Sequence, residues 1–380
     1  MSEWKEYKWG DLVTLEYGKG LRDYSRADGK YPVYGTNGKI GTTDSFLYPF
    51  PGIVIGRKGA YRGVHFSDTP FYVIDTAFYL RPRINDLDVK FAYYQLLTVD
   101  INYMDSGSAI PSTSREDFYD LDVLLPPLPE QKSIASILSR LDDKTDLLHR
   151  QNKTLEALAE TLFRQWFVVE AEESWKTGKL GDYVKVQGGY AFKSKDFKEI
   201  GFAGIVKITN ITMGNVDIQN TQYVDETVVK NLDEDKFKIR SGDFLIAMTG
   251  AEIGKIGIVE KTEKEIWVNQ RVGKLVAKVP HGDIISYLAL KSREGQDHII
   301  NACSGSAQEN ISTTGIEEMI FASYDSVKTN SFGQQAQPLF EKIIFNLKQI
   351  LTLTQLRDTL LPKLMSGDVR VNETEKQIIK

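Results

Sequence analysis

Apolar residues follow two different periods along the chain. In residues 1–125 and 171–330, short β-branched and aromatic runs alternate with glycine-rich turns, a pattern that predicts strands. The clearest runs are Gly52-IVIG, Pro70-FYVIDTAFYL, Gly242-DFLIAM and Ile266-WVNQRVGKLVAKV. After each region, leucine and isoleucine recur at helical spacing. The sequence therefore predicts an α+β protein in which two similar mixed domains alternate with two long α-helices.

The first helical stretch has a period of seven. Pro126-PLP followed by Glu130 and Gln131 marks its start, because a proline in the first turn and an early acidic residue favour a helix N-terminus. A helix from Glu130 to Phe167 would be roughly 57 Å long. Apolar side chains at heptad spacing predict a partner helix. They are Ile134, Leu141, Leu148, Leu155 and Leu162.

A second helix is expected to begin near Pro338 and to end near Pro362. Its apolar stripe includes Ile343, Leu347, Leu353 and Leu360. Both helices are longer than one domain's core requires, so we expect them to pair as an antiparallel coiled coil that relates the two domains by a pseudo-twofold axis. The alternative, that each helix only covers its own domain, stays open from the pattern alone.

The two halves of the chain repeat each other. One block recurs at a constant offset, which pairs Trp4-Lys5 with Trp175-Lys176 and Gly18 with Gly189. Another block, Ser106-GSA, recurs as Ser304-GSA at a larger offset, so the second domain should carry additional residues in its middle. The predicted boundaries are 1–125 for the first domain, 126–170 for the first spacer helix, 171–330 for the second domain, 331–368 for the second spacer helix and 369–380 for a C-terminal tail.

Composition is typical of folded globular proteins. Hydrophobic residues make up 41% and charged residues 26% of the 380 positions, and no apolar run approaches the roughly 20 residues of a membrane span. The net charge of −5 gives no bulk support to nucleic-acid binding, so such a function has to rest on local surfaces. The N-terminal segment lacks the features of a secretion signal, and Cys303 is the only cysteine. We therefore expect a cytoplasmic protein without a membrane anchor.

Signatures of catalysis are missing from the sequence. Gly250-AEIGK lacks the spacing and the hydroxyl of a phosphate-binding loop, the four histidines are scattered, and there is no Asn-Pro-Pro-aromatic motif of an amino-methylating enzyme. Metal and cofactor sites are therefore not expected in this chain. The carboxylates Glu260, Glu263 and Glu265 can be interpreted as a nuclease remnant, but charge clusters of this kind are usually solvated turns.

Polar, glycine-rich loops that follow the predicted strands are the best candidates for contacts with DNA. Glycine lets backbone amides approach a phosphate, and arginine or asparagine can form two hydrogen bonds to a guanine or adenine edge. Ordinary tight turns contain the same residues. The candidate contacts are Thr36, Asn37, Arg57, Lys58, Tyr61, Arg62, Ser106, Ser108, Ser112 and Ser114 in the first half, and Lys207, Asn210, Thr249, Arg271, Ser304, Ser306, Gln308 and Asn310 in the second.

Three sequence blocks resemble the specificity subunit of type I restriction-modification systems. They are Tyr31-PVYGTNGKIG with Gly56-RKGAYRG and Ile74-DTAFYL, then Leu124-LPPLPEQKSIASIL, and finally Leu360-LPKLMSGDVRV. The resemblance implies two target-recognition domains that each read one half of a bipartite double-stranded DNA target, with the helices setting the gap. The second half matches more loosely, with Ala247-MTGAEIG in place of Gly56-RKGAYRG.

The same resemblance implies partners that carry the chemistry. Two methyltransferase subunits would dock on the helices and use S-adenosylmethionine to methylate adenine, and two restriction subunits, where present, would use ATP and Mg²⁺. The chain itself would bind none of these cofactors and would catalyse no reaction. Two other classes stay open: a methyltransferase or nuclease that recognises its own target, and a two-domain interaction protein without a DNA target.

Overall fold

The chain divides into two compact units in a computed structural model. The model describes residues 4–24, 28–104, 111–170, 177–303, 310–322 and 326–371. The first unit comprises Met1–Lys144 and Leu353–Lys380, and the second comprises Thr145–Thr352. Both divisions fall inside long helices, so each long helix contributes residues to both units.

The first unit is built on small β-sheets. Its strands are β1 Lys5–Lys8, β2 Val13–Tyr17, β3 Tyr31–Gly35, β4 Gly38–Thr43, β5 Gly52–Gly56, β6 Val64–Ser67, β7 Tyr72–Val73, β8 Ala77–Pro82 and β9 Asp122–Leu125. A larger sheet has the order β2-β8-β5-β6, a smaller sheet has the order β4-β3-β7, and β1 pairs with β9. The helices are α1 Trp9–Leu12, α2 Val89–Leu97, α3 Arg115–Tyr119 and the long α4 Leu128–Arg164, which continues as a π-helical turn at Gln165–Val169.

The second unit has a related arrangement. Its strands are β10 Thr177–Lys179, β11 Val184–Gly188, β12 Ala203–Val206, β13 Gly214–Asn215, β14 Gln222–Val224, β15 Phe244–Ala247, β16 Ile256–Ile258, β17 Ile266–Val268, β18 Val272–Ala277 and β19 Ile320–Ala322. The larger sheet is β11-β18-β15-β16-β13, the smaller sheet is β14-β12-β17, and β10 pairs with β19. The helices are α5 Glu226–Val229, α6 Glu234–Phe237, α7 Gly282–Lys291, α8 Arg293–Cys303, α9 Thr313–Glu317 and the long α10 Ser326–Ser366.

Equivalent strands confirm the internal repeat and locate the additional residues of the second domain. β2 corresponds to β11, β8 to β18, and β9 to β19. The first residues of these pairs are Val13 and Val184, Ala77 and Val272, and Asp122 and Ile320. The difference in residue number between equivalent strands grows mostly from the first pair to the second. Most of the additional residues therefore lie between β11 and β18. They include β13, α5 and α6.

Two apolar runs that the pattern predicts as single strands are each divided by a turn. The first run contains β7 and β8, the second contains β17 and β18, and the turns lie at 74–76 and 269–271. At each turn the chain passes from the smaller sheet to the larger one. We call these segments the crossover turns. Both sheets bury side chains, so the runs stay apolar on either side and the period alone does not reveal the turn.

A glycine packs directly against each crossover turn. A Cβ atom on Gly18 would lie 2.0 Å from the carbonyl oxygen of Ile74, and one on Gly189 would lie 2.2 Å from that of Asn269. The backbone N–H of Gly18 donates to Ala77 O at 3.1 Å. Only a residue without a side chain allows this approach, which accounts for the glycine at both positions of the repeated block.

The strand β5 is buried along its whole length because it has a core on each face. Ile53 and Ile55 pack in the core that also contains α2 and the start of α4, whereas Val54 packs with Phe71 and Val73 of the segment leading into the crossover turn. Successive side chains of a strand point to opposite faces, so both faces have to be apolar. β15 alternates between two cores in the same way.

The helix α10 begins at Ser326, so the predicted start near Pro338 is wrong. Pro338 lies inside the helix, where it lacks the N–H of a helical hydrogen bond. Phe332 and Ala336, in the turns before the proline, are fully buried in the core of the second unit. Their burial offsets the cost of the proline and extends the helix. The prediction for α4 is close to its observed bounds.

Within each unit the two long helices run antiparallel, as predicted. In the contacts between the helices, increasing residue numbers of α4 pair with decreasing residue numbers of α10 and of the residues that follow it. The contacts that show this are Glu130–Arg370 (2.8 Å) and Asp142–Arg357 (3.0 Å) in the first unit, and Gln151–Asn346 (2.9 Å) and Phe163–Phe332 (6.3 Å between ring centres) in the second. Asn346 is fully buried and also donates to Asn152 Oδ1 at 2.8 Å. Buried polar contacts of this kind specify the register of a helix pair.

The heptad residues face the interior of this chain. Three of them, Ile134, Leu148 and Ile343, are buried. The others are partly buried: Leu141, Leu155, Leu162, Leu347, Leu353 and Leu360. These side chains are therefore at least partly covered within this chain, and their contact with a partner subunit stays a prediction.

Leu148→Asp should destabilise the protein, and Leu147→Asp should not. Leu148 is 2% exposed and Leu147 is 49% exposed, so the two variants place the same charge inside and outside the seam. Loss of the buried leucine costs about 2–5 kcal/mol, and an unpaired buried carboxylate adds to that cost. Chemical denaturation followed by circular dichroism measures the stability of both variants. Equal midpoints for the two variants would contradict the buried seam.

Candidate DNA interface

In the first domain, three of the predicted contact residues form hydrogen bonds with one carbonyl group of the crossover turn. Thr76 O accepts hydrogen bonds from the backbone N–H groups of Arg57 (2.9 Å) and Lys58 (3.2 Å). The hydroxyl of Thr36 lies 2.7 Å from both Thr76 O and Lys58 O, so it can donate to either. The hairpin between β3 and β4 and the loop after β5 are thus fixed to each other. Asn37 is exposed at the tip of the hairpin.

The segment before α3 packs on the same loop. Lys58 forms a β-bridge with Ser112, and Thr113 donates from its backbone N to Arg57 O at 2.9 Å and from its hydroxyl to Gly56 O at 2.8 Å. Ser114 Oγ accepts from Asp117 N at 3.2 Å and caps α3, so this hydroxyl has a structural role.

Two further side chains of this loop point in opposite directions. Tyr61 is 82% exposed, as expected of a contact residue. Arg62 is 4% exposed, which corrects its assignment as a surface contact. Its Nη2 donates to the carbonyl oxygens of Asn102 (2.8 Å) and Met104 (3.0 Å). Arg62 therefore anchors the segment that leads to Ser106.

Five predicted contact residues lie outside the described residues. They are Ser106 and Ser108 in the first domain and Ser304, Ser306 and Gln308 in the second. Their contribution to a DNA surface stays a prediction.

A stack of cationic and aromatic side chains lies beside these loops. The guanidinium of Arg57 is 4.8 Å from the ring centre of Tyr17 and 5.8 Å from that of Phe78, and its Nη1 donates to Asp75 O at 2.9 Å. The guanidinium of Arg115 is 5.1 Å from the same Tyr17 ring. The sequence pattern does not indicate Tyr17, Phe78 or Arg115, because no spacing rule connects the end of β2, the start of β8 and the start of α3.

Hydrogen bonds fix Arg115 within this stack. Its Nη2 donates to the hydroxyl of Tyr119 at 3.0 Å, and that hydroxyl oxygen also accepts from the backbone N of Leu15 at 2.9 Å. The bond to Tyr119 is the main cause of a raised pKa of Arg115, with burial acting in the opposite direction. Arg115 is therefore a permanent positive charge at the edge of the first domain.

The second domain has an equivalent set of loops. Thr249 forms a β-bridge and a side-chain hydrogen bond with Asn310, and Met248 N donates to Arg271 O at 3.0 Å. Arg271 lies on the crossover turn and is exposed. The predicted residues Thr249, Arg271 and Asn310 are therefore close together.

The other two predicted residues of the second domain are largely engaged within it. Asn210 is buried, and its amide accepts from Lys207 N (2.9 Å) and donates to Asn220 O (2.9 Å), which corrects its assignment as a contact. The Nζ atom of Lys207 lies 3.7 Å from the ring centre of Phe197 and donates to Gln222. Burial lowers the pKa of Lys207.

The carboxylate cluster of the second domain is not a solvated turn throughout. Glu260 is 7% exposed and accepts a hydrogen bond from Gln219 at 2.7 Å, and burial raises its pKa. Glu265 forms an ion pair with Lys238 at 2.9 Å. Among the described residues, no group of three His, Cys, Asp or Glu side chains could hold a metal ion. No helix in that part of the chain is long and apolar enough to cross a membrane.

The repeated domain defines the class of this protein. The family model described as the type I restriction modification DNA specificity domain matches residues 1–157 and again residues 172–321. The chain therefore belongs to this family and carries the domain in two copies. The predicted resemblance and the predicted fold class are confirmed.

Named relatives and a solved structure agree with this assignment. The chain is 26% identical over 285 residues to the type I restriction enzyme MjaIX specificity subunit of Methanocaldococcus jannaschii, a match that covers 70% of this chain and 65% of that protein, just under two thirds of its length. It is 22% identical to the HindI specificity subunit of Haemophilus influenzae, over 97% of this chain and 100% of that one. The fold is similar to the crystal structure of a type I restriction-modification S subunit from M. genitalium, with a TM-score of 0.66, 21% identity, and coverage of 95% and 96% of the two chains.

Gly18→Ala should destabilise the first domain, whereas Gly20→Ala should not. The new methyl group would lie 2.0 Å from Ile74 O at position 18, and it would meet nothing within 4 Å at position 20. The crossover turn would have to move, at a cost of about 1–3 kcal/mol. Thermal unfolding measures the difference between these variants. If Gly18→Ala unfolds with the same midpoint as Gly20→Ala, the turn does not depend on this contact.

Proposed function

We propose that this chain is the non-catalytic specificity subunit of a type I restriction-modification complex, and that each domain reads one half of a bipartite double-stranded DNA target. The proposal rests on an equivalent pair of bridged loops in the two domains. The loop after β5 is bridged to the segment before α3, and the loop after β15 is bridged to the segment before α9. Two equivalent surfaces on one chain suit a target made of two half-sites.

The side chains on these surfaces support DNA as the ligand. Exposed Asn37, Lys58 and Tyr61 in the first domain, and exposed Arg271 in the second, supply donors and a planar ring. Amide and guanidinium groups can bond base edges, and lysine suits phosphates. Thr249 adds a hydroxyl group next to Arg271. Among the described residues, most of the other predicted contacts are held by hydrogen bonds within the domains.

The long helices would set the gap between the half-sites and dock two methyltransferase subunits. Those subunits would bind S-adenosylmethionine and methylate adenine. Where the system has restriction subunits, they would supply cleavage that depends on ATP and Mg²⁺. The net charge of −5 agrees with this division, because partner subunits can provide much of the positive surface that DNA binding needs.

Methylation mapping tests this function directly. The chain is co-expressed with the adenine methyltransferase subunit of the same system, and the host DNA is sequenced by a method that detects methylated adenine at single-base resolution. We expect methylated adenines in a motif of two short half-sites separated by a fixed gap, because two domains on paired helices would read two positions at once. Cells that make the methyltransferase subunit alone are the control and should show no such motif.

Other outcomes would count against the proposal. A stable complex without new methylation would mean that these domains do not read DNA for the methyltransferase. A continuous motif without a gap would mean that the two domains do not act as separate readers. Methylation by the purified chain alone would show that it is an enzyme.

A further inference from the structure

The Arg57 side chain is held in place without a carboxylate partner among the described residues. Rings of Tyr17 and Phe78 lie at 4.8 and 5.8 Å from its guanidinium, and one nitrogen, Nη1, donates to the backbone oxygen of Asp75. None of the ion pairs in the described part of the chain involves Arg57. A structural arginine is normally paired with a carboxylate or surrounded by carbonyl groups, as the buried Arg62 is.

The held guanidinium keeps donors for a ligand. Arginine carries five N–H groups in a planar fork, and within the described residues the bond to Asp75 O engages one nitrogen of Arg57. Two parallel donors match the O6 and N7 acceptors of guanine in the major groove, which is the commonest specific contact of arginine with DNA. A fork whose orientation is already set by stacking loses less side-chain entropy on binding.

Arg115 completes the stack on the side of α3. Its guanidinium lies 5.1 Å from the Tyr17 ring that also stacks with Arg57, and Tyr119 holds it through a hydrogen bond. Tyr17 is 48% exposed, so the stack reaches the surface. The positive charge of Arg115 adds to the attraction of DNA at this place, while Tyr17 acts as a positioning residue for Arg57.

The second domain keeps the backbone of this site and changes its side chains. Met248 is the equivalent of Arg57, because Met248 N donates to Arg271 O as Arg57 N donates to Thr76 O, and Ile311 N donates to Met248 O as Thr113 N donates to Arg57 O. The paired residues Tyr17 and Phe78 are replaced by the paired residues Gly188 and Gly273.

Met248 lies against the two glycines that stand at the positions of the rings. It is 7% exposed, and its Sδ lies 3.2 Å from the position of a Cβ on Gly273. Thr313, the equivalent of Arg115, lies next to Gly188, with Cγ2 3.6 Å from the position of a Cβ there. The side chain equivalent to Arg57 is therefore buried and uncharged in the second domain.

We infer that Arg57, positioned by Tyr17, reads a guanine in the half-site of the first domain, and that the second domain has no counterpart at the equivalent place. This inference rests on the proposed function. It predicts that the two half-sites differ, because one domain presents a fixed guanidinium where the other presents a buried methionine.

Base analogues test the inference. Once methylation mapping has given the target, each guanine of the duplex is replaced in turn by 7-deazaguanine, which lacks the N7 acceptor but still pairs with cytosine. We expect one replacement, in the half-site that the first domain reads, to lower the methylation rate of the wild-type complex by about 10- to 100-fold. Arg57→Ala should be slow on the normal duplex and should not respond further to that replacement.

Matched variants separate reading from general DNA binding. Lys58→Ala removes an exposed charge from the next position of the same loop, and it should weaken binding to all duplexes while keeping the wild-type response to 7-deazaguanine. Arg57→Lys keeps the charge without the planar fork and should weaken the response. Tyr17→Phe keeps the aromatic ring and should retain the response to 7-deazaguanine. Tyr17→Leu removes the ring and should reduce that response. Thermal unfolding confirms which variants are folded.

The outcomes distinguish this inference from the proposed function. A split motif in which no guanine shows the response, or a response that persists in both Arg57→Ala and Arg57→Lys, overturns the guanine contact and leaves the proposed function intact. If the wild-type complex methylates no split motif, the proposed function and the guanine contact are both wrong.

Discussion

The close approach of the chain to the crossover turn is the constraint on which each domain depends. The chain leaves the smaller sheet, turns at 74–76 and enters the larger sheet, and Gly18 packs on that turn where any side chain would collide. The carbonyl group of Thr76 then orients the loop after β5. Gly189 and the turn at 269–271 have the same relation in the second domain. The position of the candidate DNA contacts thus follows from backbone packing, and the identity of the side chains can vary on it.

The long helices combine two roles that the sequence pattern treats as alternatives. In the first unit, the start of α4 packs into the domain core with Ile134 and Leu138, and in the second unit its end packs with Ala159 and Phe163. The same helix pairs antiparallel with α10 within each unit. Many of its apolar residues are therefore covered within this chain, whereas Leu147 and Leu158 are about half exposed.

Architecture was more predictable than the site. The repeat and the heptad period predict two mixed domains with paired helices, because both depend on regular spacing. The start of α10 is not predictable from Pro338, since burial of Phe332 outweighs the local cost of the proline. The burial of Arg62 and the stack of Tyr17 with Arg115 are also not predictable from the sequence. These contacts join residues that are far apart in the chain. Loop residue type predicts polarity and does not tell whether a side chain faces the protein or the solvent.

Competition binding shows whether each domain recognises its own half-site. The complete complex is mixed with a labelled duplex that carries the mapped target, and it is challenged with duplexes that carry both half-sites, either half alone, or neither. We expect each single half-site to compete better than the duplex with neither and at least about 100-fold worse than the full target, since several base contacts are lost with each half. If one half-site alone competes as well as the full target, or if each half alone competes no better than unrelated DNA, the two domains are not separate readers of two half-sites.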